Sequence, residues 1–221
     1  VALGKNAMLV NTTGQYNVAI GEGALDANTS AADNTAVGSF NSGANTTGSQ
    51  NTSIGYAAFS SNTTGSSNVS VGRSALRLNT TAIHNTAVGD IALESNTTGS
   101  YNAAVGSGAL TSNTTGQFNT AVGRNALEVN TTGGSNTSIG QDSLTANTTG
   151  INNTAVGRLA LQANTTGQES VAFGMQALQA STTGSANTAI GSYALFTNTT
   201  ATGNTAVGER ALRANTTGST N

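Results

Sequence analysis

Apolar and polar residues alternate along this chain in a pattern that returns every 17 positions. Glycine marks the period, recurring at Gly4, at Gly21 and at every 17th residue up to Gly208 without an insertion. Thirteen repeats account for all 221 residues. We number the positions of each repeat from 1 to 17, starting at the first Asn of the recurring Asn-Thr-Thr-Gly motif, for example Asn96. We call the residues that share a position a column.

The columns differ sharply in character. Column 10 is always a large apolar residue, column 15 is nearly always Leu, and column 14 is nearly always Ala. Column 8 is mainly Thr or Val, and column 9 is Ala or Ser. Columns 1 and 7 are almost always Asn and column 11 is always Gly, whereas columns 5, 6, 12 and 13 vary. Each position therefore experiences a similar environment in every repeat.

A repeat of this length predicts an all-β fold, a parallel β-solenoid (β-roll or β-helix) of thirteen coils of 17 residues. Helix-pair repeats need about 33 to 47 residues, which excludes them. In a solenoid each residue lies above its own copy at roughly 4.8 Å, so small and hydroxyl residues repeat without penalty. The repeat leaves no linker, and we expect one array over residues 1–221 without a polar cap at either end.

Two short strands per coil are expected. In Asn85–Gly89, alternation would point columns 8 and 10 inward, and a second strand over columns 13–17 would point Leu127 and Val129 inward. Two sheets about 10 Å apart would enclose these side chains. The small columns 9, 11 and 14 would face outward, where they either admit another surface or fit tight corners. The predicted core columns include Val88, Val105, Val122, Leu93, Leu110 and Leu127.

The Asn-Thr-Thr-Gly motif predicts a turn, because Gly and Asn tolerate positive φ and the Asn amide can bond the local backbone. Stacked Asn side chains can also bond to each other from coil to coil. Two ladders are expected, one through Asn96, Asn113 and Asn130 and one through Asn102, Asn119 and Asn136. The expected turn glycines include Gly89, Gly106 and Gly123.

One coil departs from the pattern. Phe40 precedes Asn41 in the Ala column and Ser42 in the Leu column, so apolar burial worth about 1.5–3 kcal/mol is missing there. We expect this coil to be the weakest and Phe40 to turn inward in compensation.

Charge is sparse: only 7% of residues are charged and the net charge is −2. Like charges stacked directly above one another repel, which explains their restriction to variable columns. The slightly negative net charge argues against a nucleic-acid partner, which would favour basic patches. No apolar run approaches the roughly 20 residues of a membrane-inserted helix. There is no Cys, which excludes disulfides.

Catalytic and metal-binding patterns are not evident. His84 lies alone in a variable column and is expected to be a solvent-exposed loop residue. Asp90 and Glu94 do not form a recognisable acid/base pair, and Asp is not columnar as calcium-binding repeats require. No cofactor is expected. The Asn-Thr-Thr triplets match glycosylation acceptors, although turn chemistry explains them as well.

Several repeats carry a motif known elsewhere. The segments "SVAFG" (Ser170–Gly174), "NTAIG" (Asn187–Gly191) and the many "NTAVG" copies resemble the repeats in head domains of trimeric autotransporter adhesins (YadA-like). The Asn-Thr-Thr-Gly arrays are also similar to repeats of phage and viral tail-fibre proteins. This resemblance implies a left-handed parallel β-roll, a trimeric assembly and a location on a cell or virion surface.

These observations favour a non-enzymatic structural or adhesive element of an extracellular fibre. Its partners would be copies of itself, stacked end to end or side by side, and an unidentified surface receptor. The junction "TTGSTN-VALG" would continue the repeat in register. The alternative is an ice-binding solenoid that uses Thr ladders, although Thr in column 8 is expected to face inward. A polysaccharide-cleaving enzyme ranks third, because carboxylates are not clustered.

Overall fold

The computed structural model describes all residues, Val1–Asn221, and contains β-strands and turns without a helix. Thirteen parallel strands, one per repeat, form a β-solenoid. The strands are β1 (Ala2–Leu3), β2 (Val18–Ile20), β3 (Thr35–Val37), β4 (Thr52–Ile54), β5 (Val69–Val71), β6 (Thr86–Val88), β7 (Ala103–Val105), β8 (Thr120–Val122), β9 (Thr137–Ile139), β10 (Thr154–Val156), β11 (Val171–Phe173), β12 (Thr188–Ile190) and β13 (Thr205–Val207). The predicted fold class is confirmed.

The chain divides into two compact units, Val1–Thr115 with β1 to β7 and Gly116–Asn221 with β8 to β13. Within each unit, every strand pairs with the next in the register of the repeat. Thr35 lies opposite Thr52 in the first unit and Thr137 opposite Thr154 in the second. Identical columns therefore stack, as the 17-residue period requires. The single array over residues 1–221 and the left-handed winding stay predictions.

The strand points the opposite way from our expectation. Ala87 in column 9 is fully buried, whereas the predicted core residues Val88, Val105 and Val122 are 37%, 40% and 37% exposed. The alternation was predicted correctly, but the inward and outward faces were exchanged. The physical reason is the small cross-section of the coil, in which the buried Leu column leaves room only for an Ala or Ser side chain from the strand.

The Leu column forms the core as predicted. The three predicted residues of this column, Leu93, Leu110 and Leu127, are completely buried. They do not belong to a second strand, however. Columns 13 and 15 adopt left-handed backbone conformations, with φ of 51° at both Ile91 and Leu93. These residues form an arc of turns, so the predicted second sheet is wrong, and Val129 is 37% exposed rather than inward.

Inter-coil hydrogen bonds continue through this arc. The Ile91 N–H donates to the Arg73 carbonyl of one neighbouring coil at 2.9 Å, and the Leu93 N–H donates to the Ala109 carbonyl of the other at 2.9 Å. Buried backbone groups need such partners. The arc therefore satisfies its backbone almost as a strand does, while the left-handed residues reverse the chain direction.

Column 11 is always Gly, whereas column 4 is Gly in ten repeats and Ala31, Ala82 and Ala201 in the other three. The predicted turn glycines of column 11 are confirmed: Gly89, Gly106 and Gly123 have φ of 139°, 134° and 132°. Column 4 does not adopt the left-handed conformation that we expected for the Asn-Thr-Thr-Gly turn. A Cβ at Gly133 in column 4 would instead lie 2.5 Å from both Asn130 Oδ1 and the Gly150 oxygen. Close approach by the Asn side chain of the same coil and by the backbone of the next coil thus favours a small residue, Gly or Ala, in this column.

The irregular coil around Ser42 has a polar interior. Asn41 donates to the carbonyls of Val37 and Gly55 at 3.2 and 3.0 Å. The Ser42 hydroxyl bonds to Asn41 Oδ1 at 3.0 Å and to Ser53 Oγ at 2.7 Å. This network replaces the missing apolar contacts with hydrogen bonds.

Phe40 does not compensate for Ser42, because its side chain is 50% exposed and meets the Tyr56 ring edge-on at a centroid distance of 6.1 Å. The prediction that it turns inward is wrong. Phe59, the column-15 residue of the following coil, is 1% exposed and is the largest fully buried side chain. Its extra volume lies next to the small Ser42 in the same column.

Candidate interaction surface

Both predicted Asn ladders are present inside the coils. In column 1, Asn96 donates to Asn79 Oδ1 at 3.0 Å, and Asn113 donates to Asn96 Oδ1 at 2.9 Å. In the second unit, Asn147 donates to Asn130 Oδ1 at 2.8 Å. The column is fully buried at these residues, so each of these pairs of neighbouring coils is joined by a hydrogen bond shielded from water.

Column 7 forms a ladder of a different kind. Its backbone N–H groups donate to the side-chain oxygen of the preceding Asn, as from Asn102 to Asn85 at 2.9 Å and from Asn136 to Asn119 at 3.0 Å. The two ladders meet at the carbonyl of column 4. Gly99 O accepts from Asn85 Nδ2 and from Asn96 Nδ2, both at 2.9 Å. The Asn columns therefore stabilise the stacking of coils and do not form a binding surface.

The two Thr columns have different roles. Side chains of column 2 form hydrogen bonds between coils, and side chains of column 3 face solvent. Thr97 in column 2 donates its hydroxyl to the Thr114 carbonyl at 3.0 Å and is half-buried. Thr98 in column 3 is exposed. Column 2 thus contributes to coil stacking, and column 3 lies on the outside of the turn.

Within each unit the strands present a regular surface outward, which we call the flat face. It consists of the column-8 and column-10 side chains, such as Thr137 with Ile139 and Thr188 with Ile190. Ile139 and Ile190 are 40% and 41% exposed. The column-10 members are Leu3, Ile20, Val37, Ile54, Val71, Val88, Val105, Val122, Ile139, Val156, Phe173, Ile190 and Val207. Strand geometry spaces neighbours about 4.8 Å apart between coils and about 7 Å apart within a coil.

The flat face carries no charged side chain, because columns 8 and 10 contain only Thr, Val, Ile, Leu, Ala and Phe. Charges occupy other columns, where several pair with an opposite charge one coil away. Arg73 Nη2 lies 2.8 Å from Asp90 Oδ2, and Arg77 Nε lies 2.7 Å from Glu94 Oε1. Asp90 and Glu94 thus each have an arginine partner. Sequence reasoning missed the flat face because it assigned columns 8 and 10 to the core.

The rest of the surface offers little concave or chemically clustered structure. His84 stacks on Tyr101 with ring centroids 5.1 Å apart and an interplanar angle of 19°. No cavity is found, and no three His, Cys, Asp or Glu residues lie close enough together to hold a metal ion. None of the secondary structure is a helix that could cross a membrane.

Comparison with known proteins finds no family model, no curated protein and no solved structure that matches this chain.

Proposed function

We propose that this chain is a non-enzymatic structural and adhesive element of an extracellular fibre, in which copies associate through the flat face. The observation that carries the proposal is the uncharged column of exposed Val and Ile residues, about 37–41% exposed at Val88, Val122, Ile139 and Ile190. Exposed apolar surfaces of this regularity are typical of interaction sites. A cell or virion surface is the location that such a fibre element would occupy.

A second copy is the partner that fits this surface best. Every copy presents the same inter-coil repeat of about 4.8 Å, so two flat faces can interlock their side chains over many coils in register. Neither face carries a charge that would have to be desolvated. Coils can also stack on coils of another copy, because each offers the backbone groups and Asn ladders that join neighbours within a unit.

Charge placed on the flat face tests this association. We expect the wild-type protein to form dimers or larger assemblies that grow with concentration in sedimentation velocity and appear as filaments or bundles in electron micrographs. Ile139→Lys combined with Ile190→Lys should abolish lateral association, because two buried ammonium groups would face an apolar partner.

The matched control carries the same added charge elsewhere. Thr149→Lys combined with Thr200→Lys changes two exposed column-3 residues that lie three coils apart, as Ile139 and Ile190 do, and this variant should associate like the wild type. Circular dichroism confirms that both variants are folded. A wild-type protein that remains monomeric at all accessible concentrations would contradict the proposal, as would equal loss of association in both variants.

Ice binding is the second candidate, and the outward orientation of column 8 favours it. Sequence reasoning placed these Thr residues inside, which counted against ordered water on their surface. In the structure Thr137 and Thr154 lie on the flat face beside aliphatic residues at regular spacing. A flat array of hydroxyl and methyl groups can hold water in a repeated arrangement.

Thermal hysteresis separates the two candidates. An ice-binding protein would separate its melting and freezing temperatures as a monomer and lose that effect in the Ile139→Lys, Ile190→Lys variant, but keep it in the column-3 control. A fibre element would show association without thermal hysteresis.

A further inference from the structure

One Asn in the chain combines a glycosylation acceptor sequence with an exposed position. Asn152 precedes Asn153 and Thr154, which completes the Asn-X-Thr acceptor pattern. It lies in the variable column 6, where it is the only Asn. The fifteen other Asn-X-Ser/Thr acceptor patterns belong to the two Asn ladders; they begin at Asn11, Asn28, Asn45, Asn51, Asn62, Asn68, Asn79, Asn96, Asn113, Asn130, Asn136, Asn147, Asn164, Asn198 and Asn215.

The ladder Asn residues cannot accept a sugar in the folded protein. Their amide nitrogens point into the coil and are used as donors. Asn147 Nδ2 donates to Asn130 Oδ1 at 2.8 Å and to Gly150 O at 3.1 Å. Asn136 Nδ2 donates to Gly150 O at 2.8 Å. Thirteen of the fifteen are buried, and Asn11 and Asn215 are half-buried with the same bond to the column-4 carbonyl.

Asn152 has a different environment. It is exposed and sits at the tip of a turn with φ of 58°, a conformation that Asn tolerates. Its backbone N–H donates to the Gly134 carbonyl at 3.2 Å, which fixes the turn while leaving the side chain outside. The residues above and below it in the column, Ser135 and Glu169, are exposed as well. A bulky group on Asn152 would extend into solvent without displacing a coil.

We propose that Asn152 is the N-glycosylation site of the folded protein. The co-substrate is an activated sugar, either a sugar nucleotide or a lipid-linked sugar diphosphate. The Asn152 side-chain nitrogen forms a bond to C1 of the sugar while the bond from C1 to the diphosphate oxygen breaks. The amide loses one proton, and the diphosphate leaves as the free nucleotide or lipid diphosphate. The Thr154 hydroxyl, on the outward side of β10, completes the acceptor sequence.

Enzymatic glucosylation of the folded protein tests the assignment. The purified native chain is incubated with a soluble N-glycosyltransferase and UDP-glucose, and the modified residues are located by peptide mass spectrometry. We expect a single hexose at Asn152. The urea-denatured chain, treated identically after dilution, should acquire hexoses at many ladder Asn residues.

Three variants make the test specific. Asn152→Gln and Thr154→Val should each abolish modification of the native chain. The second leaves Asn152 in place and introduces a residue that column 8 already uses at Val18, Val69 and Val171. Ser135→Asn creates an acceptor before Asn136 and Thr137 at the same turn of the preceding coil, and should add a second hexose.

Modification of ladder Asn residues in the native chain to the same extent as Asn152 would overturn the proposal. So would an unmodified Asn152 in a native chain whose denatured form is a substrate, whether or not the Ser135→Asn site is used.

Discussion

At the scale of single residues, the two Asn ladders determine which substitutions the coil tolerates. Column 1 is interrupted at Ser181, which is completely buried. The shorter side chain cannot span to the preceding coil, so Asn164 Oδ1 and Ser181 Oγ are both buried without a hydrogen-bond partner. Each such group carries a desolvation penalty of about 1–3 kcal/mol.

Ser181→Asn should therefore stabilise the protein, by roughly 1–2 kcal/mol, because the new amide would donate to Asn164 Oδ1 and offer an acceptor to Asn198. The measurement is the midpoint of urea unfolding monitored by circular dichroism. The reverse change, Asn79→Ser, interrupts an intact ladder between Asn62 and Asn96 and should destabilise the protein by a similar amount. A lower midpoint for Ser181→Asn would show that the ladder bonds do not contribute in this way.

Column 11 offers a second residue-scale prediction. Gly89→Ala should destabilise the protein by about 3 kcal/mol or more, because φ at Gly89 is 139° and an added Cβ would lie 2.6 Å from both the carbonyl carbon and oxygen of Gly106. Gly23→Ala is the control. Its Cβ would meet only the Phe40 ring, at 3.5 Å from Cδ1 and 3.9 Å from Cε1, and other side chains already occupy column 13. Equal unfolding midpoints for the two variants would refute the steric argument.

At the scale of the coil, sequence periodicity predicted some features and could not predict others. The parallel stacking, the buried Leu93 column and the Asn ladders follow from the need of each residue to lie against its own copy. The orientation of the strand does not follow, because alternation separates column 9 from columns 8 and 10 without saying which side is inside. Hydrophobicity alone predicts Val88 in the core, but the space inside the coil admits only a small side chain, so Ala87 is buried and Val88 is exposed.

The arc around columns 13 to 15 was missed for a related reason. Leu93 and Ile91 are residues that rarely adopt left-handed φ, and their sequence indicates a strand. The arc is held by inter-coil hydrogen bonds and by burial of the Leu column, which offset the local backbone strain. Single-residue preferences could not reveal it. Because the orientation of the strand was predicted wrongly, the flat face, which is the candidate functional surface, was not predicted either.

Neighbouring coils also compensate for each other in side-chain volume. The small Ser42 and the large Phe59 occupy the same column in adjacent coils and provide a test of this. Phe59→Leu alone should destabilise the protein by about 1–2 kcal/mol, because the space beside Ser42 is no longer filled. Ser42→Leu alone should also destabilise it by about 1–3 kcal/mol, through crowding against Phe59 and loss of the bond to Ser53.

The double variant restores two leucines in adjacent coils and should be more stable than the sum of the single changes by at least about 1 kcal/mol. Urea unfolding of all four proteins gives this coupling energy. Phe59→Leu combined with the distant Ser138→Ala provides the additive control. Additivity of Ser42→Leu and Phe59→Leu would mean that the two side chains do not share space.

At the scale of the whole molecule, a solenoid resembles a one-dimensional stack in which stability arises from each repeat and its two neighbours. The stability of such a stack depends more on each residue keeping its column than on the length of the chain. Removing one whole period should leave every remaining residue in its column, whereas removing a length that differs by a single residue should not.

Deletion of residues 88–104 joins Ala87 to Val105 and preserves the repeat, so we expect a folded β-protein with a cooperative urea transition. Deletion of residues 88–103 joins Ala87 to Ala104 and leaves an extra alanine within the strand. Because successive strand residues point to opposite sides, the extra residue either bulges out of the sheet or exchanges the buried and exposed columns. We expect this longer chain to unfold at a clearly lower urea concentration than the shorter one. Indistinguishable transitions for the two deletions would show that column register does not control the stability of this fold.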